Sequence, residues 1–117
     1  MIQKAKIDNG SDRRIFERFP ARFPAKVKDA RDDFGTNIYL RNASAQGARL
    51  MSKERMFLND NVSLEVKLPD NEFPMTLRGQ VVWAQNTDAN LWDVGVRFHA
   101  ISLMHISRLY KFVVSHP

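Results

Sequence analysis

The stretch Val62-Ser63-Leu64-Glu65-Val66-Lys67-Leu68 decides the fold class, because four aliphatic residues alternate with three polar ones. Alternation with period two places the aliphatic side chains on one face of a strand and the polar side chains on the other. Residues 75–83 and 92–98 follow the same rule, apart from Val82, which falls on the polar side. The pattern is typical of strands that are buried on one face only.

Three shorter strand candidates precede these segments, at residues 25–28, 37–41 and 48–51. Clusters of Asp, Asn, Gly and Pro separate the candidates and indicate turns. Six short strands at this spacing favour a small antiparallel barrel or sandwich over alternating β-α-β units. We therefore predict an all-β fold, a six-stranded antiparallel β-barrel.

The hydrophobic pattern changes to a helical period at the C-terminus, where we predict an α-helix over residues 102–115. Ser102 can cap its first turn, and Ile101 can pack against Ile106 as a hydrophobic staple. We expect the helix to close one end of the barrel with a single apolar face, formed by Leu103, Ile106, Tyr110 and Val113.

Length and composition indicate one globular domain. The 117 residues are 44% hydrophobic, and no apolar run approaches the ~20 residues that a membrane span requires. The absence of cysteine excludes disulfides and zinc–thiolate sites. Because the first six residues lack the apolar stretch of a secretory signal, we expect a cytoplasmic protein.

The positive charge of the chain is concentrated in its first quarter. Residues 1–31 contain nine basic and four acidic residues, which accounts for the whole net charge of +5. Such a segment attracts polyanions over a screening length of about 8–10 Å, or serves only as a solubilising tail. We expect residues 1–12 to be a flexible segment and residues 13–117 to form the domain.

The first polar motif is Arg13-Arg14-Ile15-Phe16-Glu17-Arg18. A guanidinium presents a planar fork of donors that fits phosphate oxygens and the edge of guanine, and it can stack on a base. The prolines that follow prevent a helix from continuing, so the motif is predicted to lie on a loop that leads into a strand. The alternative is that these arginines are solvated and paired with neighbouring acids.

The second polar motif is Asn42-Ala43-Ser44-Ala45-Gln46-Gly47, predicted to connect two strands. Asn and Ser are common in turns for structural reasons, and Gly47 allows a positive φ. A purely structural hairpin is therefore one reading. In the other, Asn42 recognises a base edge and Ser44 donates to a phosphate.

Taken together, the two motifs resemble those of the PilZ domain family. The resemblance rests on Arg-x-x-x-Arg, followed after about two strands by Asn-x-Ser-x-x-Gly. Both motifs stand within a six-stranded pattern that ends in a helix. Residues 79–83 and 94–98 look like later strands of the family. The resemblance covers about residues 12–114.

PilZ domains are bacterial receptors for cyclic di-GMP, so the resemblance implies a cyclic di-GMP site. It would assign phosphate and guanine contacts to three arginines, a guanine contact to Asn42, a phosphate contact to Ser44 and a turn-shaping role to Gly47. The arginines are Arg13, Arg14 and Arg18. The family more often has Asp where this chain has Asn42, and a neutral amide would lower the affinity.

Four more side chains were considered as secondary contacts. Arg49 and Arg97 point away from the apolar neighbours on their strands, toward the ligand or toward solvent. Trp83 and Trp92 could stack on guanine, although their alternating strand positions are more typical of the core. We retain Arg49, Trp83 and Arg97 as possible contacts.

The sequence does not point to an enzyme or to a metal site. His99, His105 and His116 are not grouped with carboxylates, and the Asp32-Asp33 pair is more typical of a turn. The sequence contains no nucleophile–base arrangement and no phosphate-binding glycine loop. We therefore expect no catalytic residues, no metal and no cofactor other than the ligand cyclic di-GMP.

The functional hypothesis is a cyclic di-GMP receptor whose arginine-rich loop becomes ordered on binding and signals to a downstream protein partner. The first alternative is a PilZ-like interaction module that does not bind the nucleotide. The second is a small barrel that binds single-stranded nucleic acid, which the clustering of charge in one loop disfavours.

Overall fold

Six antiparallel strands and one helix make up the described part of the chain. The structure is a computed structural model, and it describes residues 14–28, 37–70, 73–88, 90–99 and 103–115. The elements are β1 (Phe19–Val27), β2 (Ile38–Ala43), β3 (Gly47–Ser52), β4 (Asn61–Val66), β5 (Met75–Asp88), β6 (Leu91–Phe98) and α1 (Leu103–Ser115). The predicted all-β fold with one C-terminal helix is confirmed.

The strands close into a barrel in the order β1-β2-β3-β6-β5-β4. Closure depends on β1, whose residue Ala25 pairs with Ile38 of β2 on one side and with Val66 of β4 on the other. A closed sheet leaves no unpaired edge of backbone donors and acceptors. The alternating aliphatic residues fill the interior, and Leu40, Leu50, Leu64 and Val94 are fully buried there.

Helix α1 packs against the barrel through its middle turns. Ile106, Leu109 and Tyr110 are buried, and the Tyr110 ring meets Phe19 of β1 edge to face at 5.1 Å between ring centroids. Leu103 was predicted on this face but is 47% exposed, because the contacts begin one turn later. The predicted cap Ser102 and staple Ile101 lie outside the described residues. None of the described helical segments is long and apolar enough to cross a membrane.

A bulge at Val82 changes the direction of the residues that follow it in β5. Val81 pairs with Val96 but Trp83 pairs with Gly95, so Val82 is an extra residue without a partner in β6. An extra residue shifts the alternation of the strand by one position. Trp83 therefore lies on the outer surface, 39% exposed. The interpretation of Trp83 as a core residue is wrong for this reason.

Candidate functional site

The turn that contains Ser44 is fixed to the barrel by hydrogen bonds at both ends. The Ser44 amide donates to the Gly47 carbonyl at 2.8 Å, and the Gln46 amide donates to Ser44 Oγ at 3.2 Å. The Phe98 amide of β6 donates to the Gln46 carbonyl at 2.9 Å. Ser44 is buried, and its hydroxyl hydrogen is not used in these bonds. The turn is thus held in place, and the Ser44 hydroxyl can still donate a hydrogen bond to a ligand.

Gly47 is needed for close packing and not for a positive φ. Its backbone is outside the left-handed region, which corrects the reason given above. A Cβ at this position would overlap the carbonyl oxygen of Val96 on β6. Since that oxygen belongs to the backbone, a side chain at position 47 would force β3 and β6 apart.

The arginine motif is anchored directly on this turn. Residues 14–17 form a turn closed by the Glu17 amide and the Arg14 carbonyl at 3.1 Å. Ile15 is buried, and its carbonyl accepts a hydrogen bond from the Ala45 amide at 2.6 Å. β1 begins at Phe19, directly after the motif, whereas Arg14 itself has helical backbone and is not on the predicted loop. The two motifs therefore form one continuous surface.

Arg18 stands between two clefts on that surface, and its Nη1 donates to Asn42 Oδ1 at 2.7 Å. The first cleft has a volume of about 260 Å³. It is lined by Phe16, Arg18, Ser44, Gln46, Gly47, Val82, Trp83, Gly95, Val96 and Arg97. This lining includes two arginines and no carboxylate, so the cleft favours an anion.

The second cleft, of about 250 Å³, lies on the other side of Arg18. It is lined by Arg18, Phe19, Pro20, Arg22, Arg41 and Asn42. Pockets that enclose a drug-sized ligand usually measure about 300–1,000 Å³. Each cleft is therefore sized for part of a dinucleotide.

Trp83 forms one wall of the first cleft by lying across Gly95. A Cβ at position 95 would overlap the Trp83 indole, so the ring is in direct contact with the backbone of β6. One partly exposed indole face on a rigid support is a platform on which a nucleobase can stack. The structure thus places Trp83 beside Arg18 and Arg97.

Arg14 lines neither cleft and interacts with Tyr110 of α1. The hydroxyl of Tyr110 is hydrogen-bonded to the Arg14 guanidinium and raises the pKa of Arg14, with a smaller contribution from Glu17. Tyr110 in turn packs on Phe19. Arg14 therefore connects the arginine motif to the C-terminal helix.

Arg49 is engaged in an ion pair and lines neither cleft. Its Nε and Nη2 donate to the two carboxylate oxygens of Asp93 at 2.8 and 2.5 Å. These bonds lower the pKa of Asp93, although burial alone would raise it. The charge of Arg41 also lowers this pKa. The pair ties β3 to β6 beside the site.

Asp93→Asn is expected to lower the free energy of unfolding at pH 7 by about 1–2 kcal/mol, because a bidentate charged interaction is lost and Arg49 is partly exposed. The Asp93 pKa is lower in the folded than in the unfolded chain, where it is about 3.9. Its stabilisation is therefore present above that value and is lost as the pH falls through the folded pKa. Urea titrations of both proteins from pH 7 to pH 3 should show that the difference between their free energies of unfolding becomes smaller as the pH falls. A constant difference would contradict this role of Asp93.

The structure brings six of the candidate residues together at the first cleft and its border: Arg18, Asn42, Ser44, Gly47, Trp83 and Arg97. Arg14 and Arg49 are not among them, because they have protein partners elsewhere, and Arg13 lies outside the described residues. His99 and His105 are bonded to Asn61 and to the Thr76 carbonyl. In the described ranges, no three metal-binding side chains are grouped.

Among the cleft-lining residues that sequence reasoning did not assign are Phe16, Gln46, Arg22 and Arg41. Phe16 and Gln46 lie inside the two motifs, so considering every motif position would have found them. Arg22 and Arg41 carry no local signal, because strand irregularities bring them together.

Comparison with known proteins identifies the family. The sequence matches the PilZ domain over residues 12–115, while no curated protein matches it significantly. The fold is similar to that of the Bacillus subtilis Inhibitor of motility (MotI/DgrA), with a TM-score of 0.61 and 13% identity. That similarity covers 97% of this chain and 51% of the other, so this chain spans about half its length. PilZ domains are receptor and adaptor modules known for the ligand cyclic di-GMP, and this chain belongs to the PilZ domain family.

Proposed function

We propose that this protein is a bacterial, cytoplasmic receptor for the second messenger cyclic di-GMP that acts as an adaptor and not as an enzyme. The observation that carries the proposal is the backbone bond from Ala45 to Ile15, which joins the two motifs. In support, Arg18, Ser44 and Gly47 line one cleft, and no carboxylate is among its lining residues. An anionic, guanine-containing ligand matches these groups.

Each group has a defined task in this proposal. Arg18 and Arg97, which both line the first cleft, bind phosphate or the guanine edge, and Trp83 stacks on the base. Ser44 donates its free hydroxyl hydrogen to a phosphate oxygen. Asn42 exchanges its bond with Arg18 for one with guanine. Arg13, expected to add a further contact, belongs to the same proposal.

The signal to a protein partner would leave through Arg14. A ligand phosphate competes with the Tyr110 hydroxyl for the Arg14 guanidinium, because a charged acceptor binds an arginine more strongly than a neutral one. Capture of Arg14 would release its contact with α1 and would order the basic N-terminal segment that precedes Arg14. A partner that contacts α1 or this segment would sense the change.

Calorimetric titration with cyclic di-GMP tests the proposal, with GTP and cyclic di-AMP as controls. Saturable binding of cyclic di-GMP, with much weaker binding of both controls, is expected. The absence of heat with any nucleotide would favour the interaction module that does not bind ligand. Strong salt-dependent binding of oligonucleotides instead would favour the nucleic-acid alternative.

The switch is tested separately from binding. Trp92→Phe leaves Trp83 as the sole tryptophan, so a change in its fluorescence on titration reports ligand at the first cleft. NMR of the same protein should show the amides of the residues before Arg14 becoming less mobile and the Tyr110 signals shifting. Unchanged mobility and unchanged Tyr110 signals, despite binding, would contradict the switch alone.

A further inference from the structure

The second cleft exists because two strand irregularities coincide. In the pairing of β1 with β2, Ala21 and Arg22 stand opposite the single residue Arg41. In the pairing of β2 with β3, Arg41 is again the extra residue, between Leu40 and Asn42. Bulges turn side chains out of the regular alternation and are common beside functional sites. These two turn Arg22 and Arg41 toward the same opening.

The charge of this opening is not balanced by its own lining. Three guanidinium groups, from Arg18, Arg22 and Arg41, line it together with the carboxamide of Asn42, and none of the described lining residues is acidic. Asp93 is the acid near Arg41, but both of its oxygens accept hydrogen bonds from Arg49. Three cations around one small cleft repel one another unless an anion lies between them.

The chemistry of the cleft selects the kind of anion. Guanidinium groups are planar forks that match the spaced oxygens of a phosphate, and an amide beside them can bond to a sugar hydroxyl or a base. Phe19 and Pro20 add an apolar wall. Arg18 borders both clefts, so an anion in the second cleft lies beside any ligand in the first.

We propose that the cleft between Arg22 and Arg41 is a second phosphodiester-binding site, which shares Arg18 with the first cleft. The identity of its ligand rests on the proposed function, whereas its affinity for phosphate does not. The phosphodiester comes either from the far side of the dinucleotide held in the first cleft or from a second dinucleotide molecule. Each cleft is too small for a whole dinucleotide, which fits both sources.

Calorimetry distinguishes the two sources. Cyclic di-GMP is titrated into the wild-type protein, Arg22→Ala, Arg41→Ala and the double variant, with Arg78→Ala as control, because Arg78 is exposed on β5 opposite Ser63 of β4. A single bridging dinucleotide predicts one molecule per chain throughout and at least a tenfold loss of affinity in the double variant. Two dinucleotides predict two per chain in the wild type and one in the double variant. Wild-type affinity and stoichiometry in the double variant would overturn the proposal.

A phosphate probe without guanine tests the second site independently of whether the protein binds cyclic di-GMP. Pyrophosphate is titrated into the wild-type protein while the arginine Nε–Hε signals are followed by NMR. The signals of Arg22 and Arg41 should shift and that of Arg78 should not, whether or not cyclic di-GMP binds. If neither arginine responds to pyrophosphate and cyclic di-GMP does not bind, the second site is wrong as well. Arg22→Ala, at an exposed position, keeps the test valid if Arg41→Ala impairs folding.

Discussion

Replacing Arg18 by alanine is expected to lower the affinity for cyclic di-GMP at least tenfold, measured by calorimetry, without unfolding the domain. Arg18 borders both clefts, lines the first one together with Ser44 and donates a hydrogen bond to Asn42. Hydrogen bonds to charged groups contribute about 1.5–3 kcal/mol each, and 1.4 kcal/mol corresponds to tenfold in affinity. Losing the shared arginine weakens contacts in both clefts at once.

The fold should tolerate this change because the bond of Arg18 is to a neutral amide at the surface, and no carboxylate contacts it within the described residues. Arg18→Lys separates charge from shape, since a lysine keeps the charge but loses the planar fork, and an intermediate affinity is expected. Arg14→Ala should also lower the affinity for cyclic di-GMP at least tenfold, and Arg78→Ala should bind cyclic di-GMP as the wild type does. Wild-type affinity in both Arg14→Ala and Arg18→Ala would refute the assignment of the site.

The strands were predictable because one face of each is buried and the other is solvated. Residues 62–68 show this most clearly, and the interior positions Leu64 and Val66 are fully buried as their alternation requires. The helix was predictable from its period, within one residue at its start. The alternation could not predict that Trp83 faces outward. The bulge at Val82 depends on how β5 pairs with β6, and the sequence around Val82 carries no signal of it.

The candidate site was predictable in its centre and not at its borders. Arg18, Asn42, Ser44 and Gly47 carry the family motifs, and the structure brings them together. The roles of Arg14 and Arg49 depend on Tyr110 and Asp93, which are 96 and 44 residues away along the chain. Partners at such separation follow from barrel closure and helix packing, so a motif alone does not reveal whether an arginine is free to bind a ligand.

The bulges explain how a barrel with an ordinary core can carry the proposed binding face. One turns Trp83 outward beside Arg97, and those of β1 and β2 turn Arg22 and Arg41 outward on the other side of Arg18. In each case the interior keeps its aliphatic packing, because the extra residue is absorbed on the outer surface. The groups of the two proposed sites are thereby placed next to the shared arginine, outside the barrel interior.

The rigid part of this face depends on Gly47, and Gly47→Ala is expected to lower the free energy of unfolding by about 2–3 kcal/mol. The added Cβ meets the carbonyl oxygen of Val96, which cannot move aside because it belongs to the β6 backbone. Relief requires β3 and β6 to separate at the pair of Gly47 and Arg97. For a domain of about 100 residues, this corresponds to a thermal midpoint lower by about 10–20 °C.

Gly95→Ala is the matched control for this prediction. Its added Cβ meets the Trp83 indole, a partly exposed side chain that can swing away. Urea denaturation should therefore show a clearly smaller loss of stability for Gly95→Ala, accompanied by a change in Trp83 fluorescence. Equal losses in the two variants would mean that the backbone contact is not what makes glycine necessary at position 47. A stability within about 0.5 kcal/mol of wild type in Gly47→Ala, the usual range for an innocuous surface change, would refute the packing argument itself.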